Sequence, residues 1–109
     1  MEKSIFEPGT RFRFAESVEY STDGIVSKRV IDRQAGSVTL FAFDKDQRLS
    51  THSAPYDAMV QVVEGQAEIV IDNTPNSLGA GDTIIMPASI PHAVNATEKF
   101  KMVLTMIKG

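Results

Sequence analysis

From Met59 to Ile71 the chain reads MVQVVEGQAEIVI. Two runs rich in β-branched residues, Met59–Val63 and Ala67–Ile71, flank Glu64-Gly65, which reads as a tight connection between two strands. In the first run Val60 and Val62 alternate with Met59, Gln61 and Val63, the period of two that places neighbours on opposite faces of a strand. Outward from there, DNTPN at 72–76 is dense in turn formers, and LGAGD at 78–82 is a second turn ahead of Thr83–Met86. Towards the N-terminus, SVTLFAF at 37–43 sets Val38, Leu40 and Ala42 against Thr39, Phe41 and Phe43. Ile25–Ile31 is β-branched, Arg11–Phe14 alternates charge with aromatic, and FKMVLTMI at 100–107 closes the chain as a strand. Turn signals every 8–12 residues or so predict an all-β sandwich or barrel of about eight to ten strands. Helical periodicity is convincing nowhere, because Gly, Pro or β-branched crowding interrupts every candidate segment.

Composition bounds the rest. At 109 residues there is one domain's worth of chain, 42% hydrophobic and 23% charged, an ordinary globular balance. Residues 1–109 read as a single barrel, with 1–10 as an N-terminal arm or edge strand. Eleven Lys+Arg against fourteen Asp+Glu give a net charge of -3 without a like-charge block, which argues against nucleic acid as a partner. There is no cysteine, hence no disulfide, thiolate metal site or cysteine nucleophile. No stretch nears the roughly 20 apolar residues of a membrane span, and the start MEKSIFEPGTRF lacks a signal peptide's apolar run. The expectation is a cytoplasmic protein with no membrane partner. Several strands are apolar on both faces, yet a small barrel buries one face of each. A second sheet or a second subunit must cover the other, and a homodimer is the favoured expectation.

Two histidines are present, His52 and His92. Each lies in a Ser- or Pro-containing stretch before a strand, LSTHSAPYD for the first and PASIPHAV for the second. Imidazoles at equivalent strand ends in a barrel converge on the lumen, and imidazole suits Zn, Fe, Ni and Cu. Phe41, Phe43, Met59, Met86 and Met102 are candidates to line an apolar cavity there, although residues of this kind are more often plain core. Asp44, Lys45 and Asp46 read as a charged hairpin turn, and Glu64 as a solvated turn residue. There is no phosphate loop and no nucleophile elbow.

Around these histidines the chain resembles the cupins, small barrels of jelly-roll, double-stranded β-helix type. Their first motif is G-x5-H-x-H-x3-E-x6-G and their second is G-x5-P-x-G-x2-H-x3-N. His52 and Gly65 match the first, and Gly81, Pro87 and His92 match the second, with fifteen residues between Gly65 and Gly81. Departures are Asp46 at the opening glycine, Ala54 at the second histidine, Ala58 at the glutamate, Ser89 at a glycine and Ala96 at the asparagine, with Asn95 one position early. The neighbourhood is similar to short single-barrel cupins of mostly unassigned function.

The resemblance implies a metal held by three histidines and a glutamate, and two of those four positions are alanine. His52 and His92 are therefore the candidate binding and metal residues, with Asp57 the nearest carboxylate for a third ligand. Strand parity opposes Asp57, because it faces outward if Ala58 faces inward; a loop at Pro55 would relax that parity. Two expectations follow. One is a small-molecule-binding barrel, metal-assisted as an enzyme if a divalent ion (Zn, Fe, Ni or Mn) sits on the incomplete two-histidine site. The other is a non-catalytic binding or sensor barrel without metal. A third reading, a protein that works through its dimer surface, holds only if the lumen is filled. No reaction type or catalytic residue is legible.

Overall fold

In the computed structural model, which describes residues 6–109, one turn of 3-10 helix at Phe14–Glu16 precedes eight strands. These are β1 Ile25–Arg33, β2 Gly36–Phe43, β3 Arg48–His52, β4 Asp57–Ile71, β5 Thr74–Gly79, β6 Thr83–Met86, β7 His92–Asn95 and β8 Phe100–Ile107. Every pairing is antiparallel. β1, β2, β8, the first half of β4 and β6 form one sheet; β3, β7, the second half of β4 and β5 form the other. The expected all-β barrel is thus a sheet curled around an apolar interior. Arg11–Phe14 is not a strand but the approach to the helical turn. Residues 6–10 of the expected arm form no strand, and residues 1–5 lie outside the described residues.

β4 corrects the reading of its centre. Glu64-Gly65 does not reverse the chain; it bends one 15-residue strand as that strand passes from the first sheet to the second. The register with β8 slips between Val62 and Glu64, and Gly65 adopts φ +79°. A Cβ at Gly65 would collide with the Lys99 carbonyl oxygen and the Phe100 backbone, so only glycine fits. The bulge also switches parity, since one extra residue moves the buried face by one position. Ala58, Val60 and Val62 point inward before it, and Ala67 and Ile69 after it, all at 4% exposure or less.

The turn between β4 and β5 is shorter than DNTPN suggests. Asp72 and Asn73, both at positive φ, make a two-residue hairpin closed by the Ile71–Thr74 pair, the geometry whose twist matches antiparallel strands. Pro75 already lies in β5, which among the described residues pairs with β4 alone, and on such an edge a missing N–H is tolerated.

The interior cluster includes Phe43, Val60, Val62, Ile69, Phe100 and Met102. A second cluster forms outside the barrel, where Leu40, Ala42 and Val103 are covered by Val18, with Phe14 and Tyr20 packed against them. The outer apolar face of β2 and β8 is therefore covered in part by this chain's own N-terminal segment. Glu64 helps hold that segment down. Tyr20 Oη donates to Glu64 Oε2 at 2.6 Å, and Lys101 Nζ lies 3.3 Å from the same oxygen while donating to the Ala15 carbonyl. Burial, reinforced by the carboxylate, raises the Tyr20 phenol pKa, and the phenol's hydrogen bond lowers that of Glu64. Glu64 is a half-buried tie between arm and barrel rather than a solvated turn residue.

Candidate functional site

His52 ends β3 and His92 begins β7, and the two are directly paired across the strands. Their rings meet edge to face with centroids 4.4 Å apart. Directly opposed antiparallel residues share a face, which is why two imidazoles forty positions apart in sequence become neighbours. His52 Nδ1 lies 2.8 Å from the Ser50 carbonyl oxygen, and His92 Nδ1 lies 3.2 Å from that of Ile90. A carbonyl only accepts, so each Nδ1 carries the hydrogen, and in the neutral ring Nε2 is the acceptor. His92 is buried at 7% exposure. Its burial, and to a smaller degree the neighbouring His52, push its pKa below the ordinary histidine value against the opposing bond to Ile90.

Both rings line a cavity of about 130 Å³ inside the barrel. β3 and β7 contribute Leu49 and Val94 beside the histidines, and β4 contributes Ala58. The opposite wall is Met86 of β6 with Met102, Leu104 and Met106 of β8, and Ala54 closes one side from the β3–β4 connection. Met86 and Met106 are the cross-strand partners of Ala58 on its two sides, so three side chains of one face stand in a row. Of the five suggested lining residues, Met86 and Met102 are present. Phe43 instead stacks on Phe100 away from the cavity, Phe41 packs against the core at its edge, and Met59 faces outward. Leu49, Val94, Leu104 and Met106 were not foreseen, although the alternation Met102, Leu104, Met106 along β8 carries the signal for the last two.

Asp57 is not brought to the histidines. Strand parity holds: Ala58 faces the lumen, while Asp57 faces outward and its Oδ1 accepts the Ala88 N–H at 2.8 Å. Gln61 also faces outward, into a larger hollow of about 500 Å³ between the N-terminal segment and the outer sheet face. That hollow is bigger, but the facing pair of imidazoles lies in the smaller one. Among the described residues no three His, Cys, Asp or Glu side chains are placed to hold a metal ion together.

The motif positions that lack glycine keep glycine's backbone. Asp46 sits at φ +71° and Ser89 at φ +65°, beside Gly65 at +79° and Gly81 at +96°. The Ser89 N–H donates to the Ala54 carbonyl, which anchors the loop ahead of β7 against the loop ahead of β4. The residue-by-residue match therefore extends to chain conformation, even where side chains differ.

The comparisons agree with this fold. The cupin domain profile matches residues 39–108, and the chain belongs to the cupin family. It is similar to a conserved protein of unknown function from Streptococcus pyogenes, at 39% identity and TM-score 0.89, over 94% of this chain and 90% of that one. A cupin 2 conserved barrel domain protein from Leptotrichia buccalis is 41% identical over 89% of this chain and 47% of its own length, with TM-score 0.86. A cupin superfamily protein from Desulfitobacterium hafniense shares the fold over the whole of both chains at TM-score 0.90 and 19% identity. No curated protein matches the chain.

The family's metal invites a test of fit. Structural zinc takes four protein donors and catalytic zinc three beside a water or substrate, with thiolates, carboxylates or further imidazoles completing the set. Here Ala54 and Ala58 do line the cavity, so the two vacated positions belong to the site and present only methyl groups. The rest of the wall is aliphatic or thioether. Two nitrogens without an anionic partner do not fit a divalent ion such as Zn, Fe, Ni or Mn held by the protein alone.

Proposed function

We propose that this cupin is a binding module that takes one small, largely apolar molecule into its lumen and holds it by a hydrogen bond to the histidine pair. The carrying observation is the cavity itself, apolar on most sides with two imidazoles at one end, the usual make-up of a small-molecule site. Its 130 Å³ is close to the roughly 150 Å³ of an apolar cavity known to accept benzene, which sets the ligand at about one ring. With both Nδ1 atoms committed to backbone carbonyls, the free nitrogens accept. The ligand must then bring the donor, so phenols and small aromatic amines are favoured over ring hydrocarbons. An unpaired acceptor facing a hydrocarbon would lose its hydration without replacement.

This reading assigns no covalent step and no divalent ion. It places the protein in the cytoplasm, in keeping with a chain without cysteine, and no described helix is long and apolar enough to cross a membrane. It also retains the homodimer: Ile85 and Ile107, at 61% and 60% exposure, are the outward face a second copy would cover, and light scattering reading a monomer mass would remove that part.

Thermal shift with phenol, aniline and toluene tests the binding. Phenol and aniline are expected to raise Tm more than toluene, by up to about 2.7 kcal/mol of added stability at one hundred times Kd. His52→Ala and His92→Ala should erase that preference, and Ala58→Phe, which fills the lumen, should erase all binding. Shifts unaltered by Ala58→Phe would show that the lumen is not the site.

A further inference from the structure

We infer that the same lumen is a site for a soft monovalent metal ion, Cu(I) by chemical class, held between the imidazoles of His52 and His92 and the thioethers of Met86 and Met106. The inference starts from register. In the family the glutamate stands where Ala58 stands here, and Ala58 is flanked across the strands by Met86 on one side and Met106 on the other. All three line the cavity that the histidine pair lines from the other sheet. The hard oxygen ligand has been replaced by a methyl group, and its neighbours on the same face are two sulfur donors.

Ligand softness then decides which ion. Thioethers are poor donors to Mg, Mn or Zn and good ones to Cu(I), while imidazole serves both. Charge points the same way. The cost of burying an ion rises with the square of its charge, and this cavity has no carboxylate to offset a divalent ion. Asp57, the nearest one in sequence, is turned outward onto the Ala88 N–H. A monovalent ion in neutral donors carries the smallest charge a metal can bring. Nδ1 of each ring is taken by a backbone carbonyl, which leaves Nε2 as the nitrogen free to coordinate.

The alternative account of these methionines is that they fill irregular space in a core. That account makes leucine an adequate replacement. The metal site makes leucine a loss, and this separates it from the organic-ligand proposal: both share the cavity and the histidines, but only the ion needs sulfur.

The test uses the untagged full chain. Cu(I), kept reduced anaerobically with ascorbate, is titrated against a chromogenic Cu(I) chelator, with Zn(II) in parallel. Stoichiometric Cu(I) binding much tighter than Zn(II) is expected. Loss of one supporting group around a metal already costs about 10–100-fold in affinity, so M86L/M106L should weaken Cu(I) by at least that range. X-ray absorption of the wild-type Cu(I) complex, which needs no variant to fold, should show sulfur as well as nitrogen neighbours. Failure to bind Cu(I), equal affinity in M86L/M106L, a nitrogen-only shell, or Zn(II) held as tightly would each overturn the inference. Phenol binding that persists in any of those cases would leave the organic-ligand proposal standing.

Discussion

The barrel's two ends are lined by similar apolar residues and filled differently. At one end Phe43 and Phe100 stack with centroids 4.7 Å apart, both at 0% exposure, against Val62 beside the Gly65 bulge. At the other end the chain places Ala54 and Ala58 where larger side chains would close the space, and a cavity with two imidazoles remains. Stability and binding are thereby separated along the strands. The solid end gains the dispersion and burial of two large rings, while the hollow end forgoes part of that to leave room for a ligand.

The sharpest way to break this comparison is to truncate one residue of β8 at each end. Phe100→Ala should cost about 3–5 kcal/mol of unfolding free energy, because a wholly buried ring leaves a cavity behind. Met106→Ala, half-buried beside space that is already empty, should cost about 1–2 kcal/mol. Urea unfolding of both variants measures the difference, and equal losses would mean the ends are not energetically distinct.

A smaller effect comes with pH and belongs to the hollow end. The folded His92 has a pKa below its unfolded value, so as pH falls below about 6.5 the unfolded chain takes up a proton that the native ring resists. Stability is therefore full above that value and declines as pH drops from it towards the lowered folded pKa. Denaturation of wild type and His92→Gln across that window should show the decline only in wild type, and an identical slope in both would place its cause elsewhere.

The smallest expected change is a gain. Ser89 holds a left-handed backbone that a side chain disfavours, so Ser89→Gly should add about 0.5–1 kcal/mol, read as a raised Tm. A loss there would mean that the serine side chain contributes more than its backbone strain costs.

The all-β class, a count of about eight to ten strands and the strand over 100–107 were legible because a period of two and turn residues act locally. Gly65 was legible as a special position but not as a bend, since a glycine at positive φ serves a turn and a bulge equally well. What distinguishes them is the pairing of β8 up to Gly65 and of β5 from Gln66 onward, which are contacts distant in sequence. The helical turn at Phe14–Glu16 escaped because a single turn has too few residues to show a period.

The sequence by itself determined the family, the antiparallel β architecture and the two histidines, and strand parity argued for an outward Asp57. All of these depend on residue identity or on spacing along one strand. Only the tertiary structure decided that His52 opposes His92, that Met86 and Met106 flank Ala58, and that the N-terminal segment covers Val103. Those depend on strand register and chain packing, which many distant contacts fix together and no local pattern encodes.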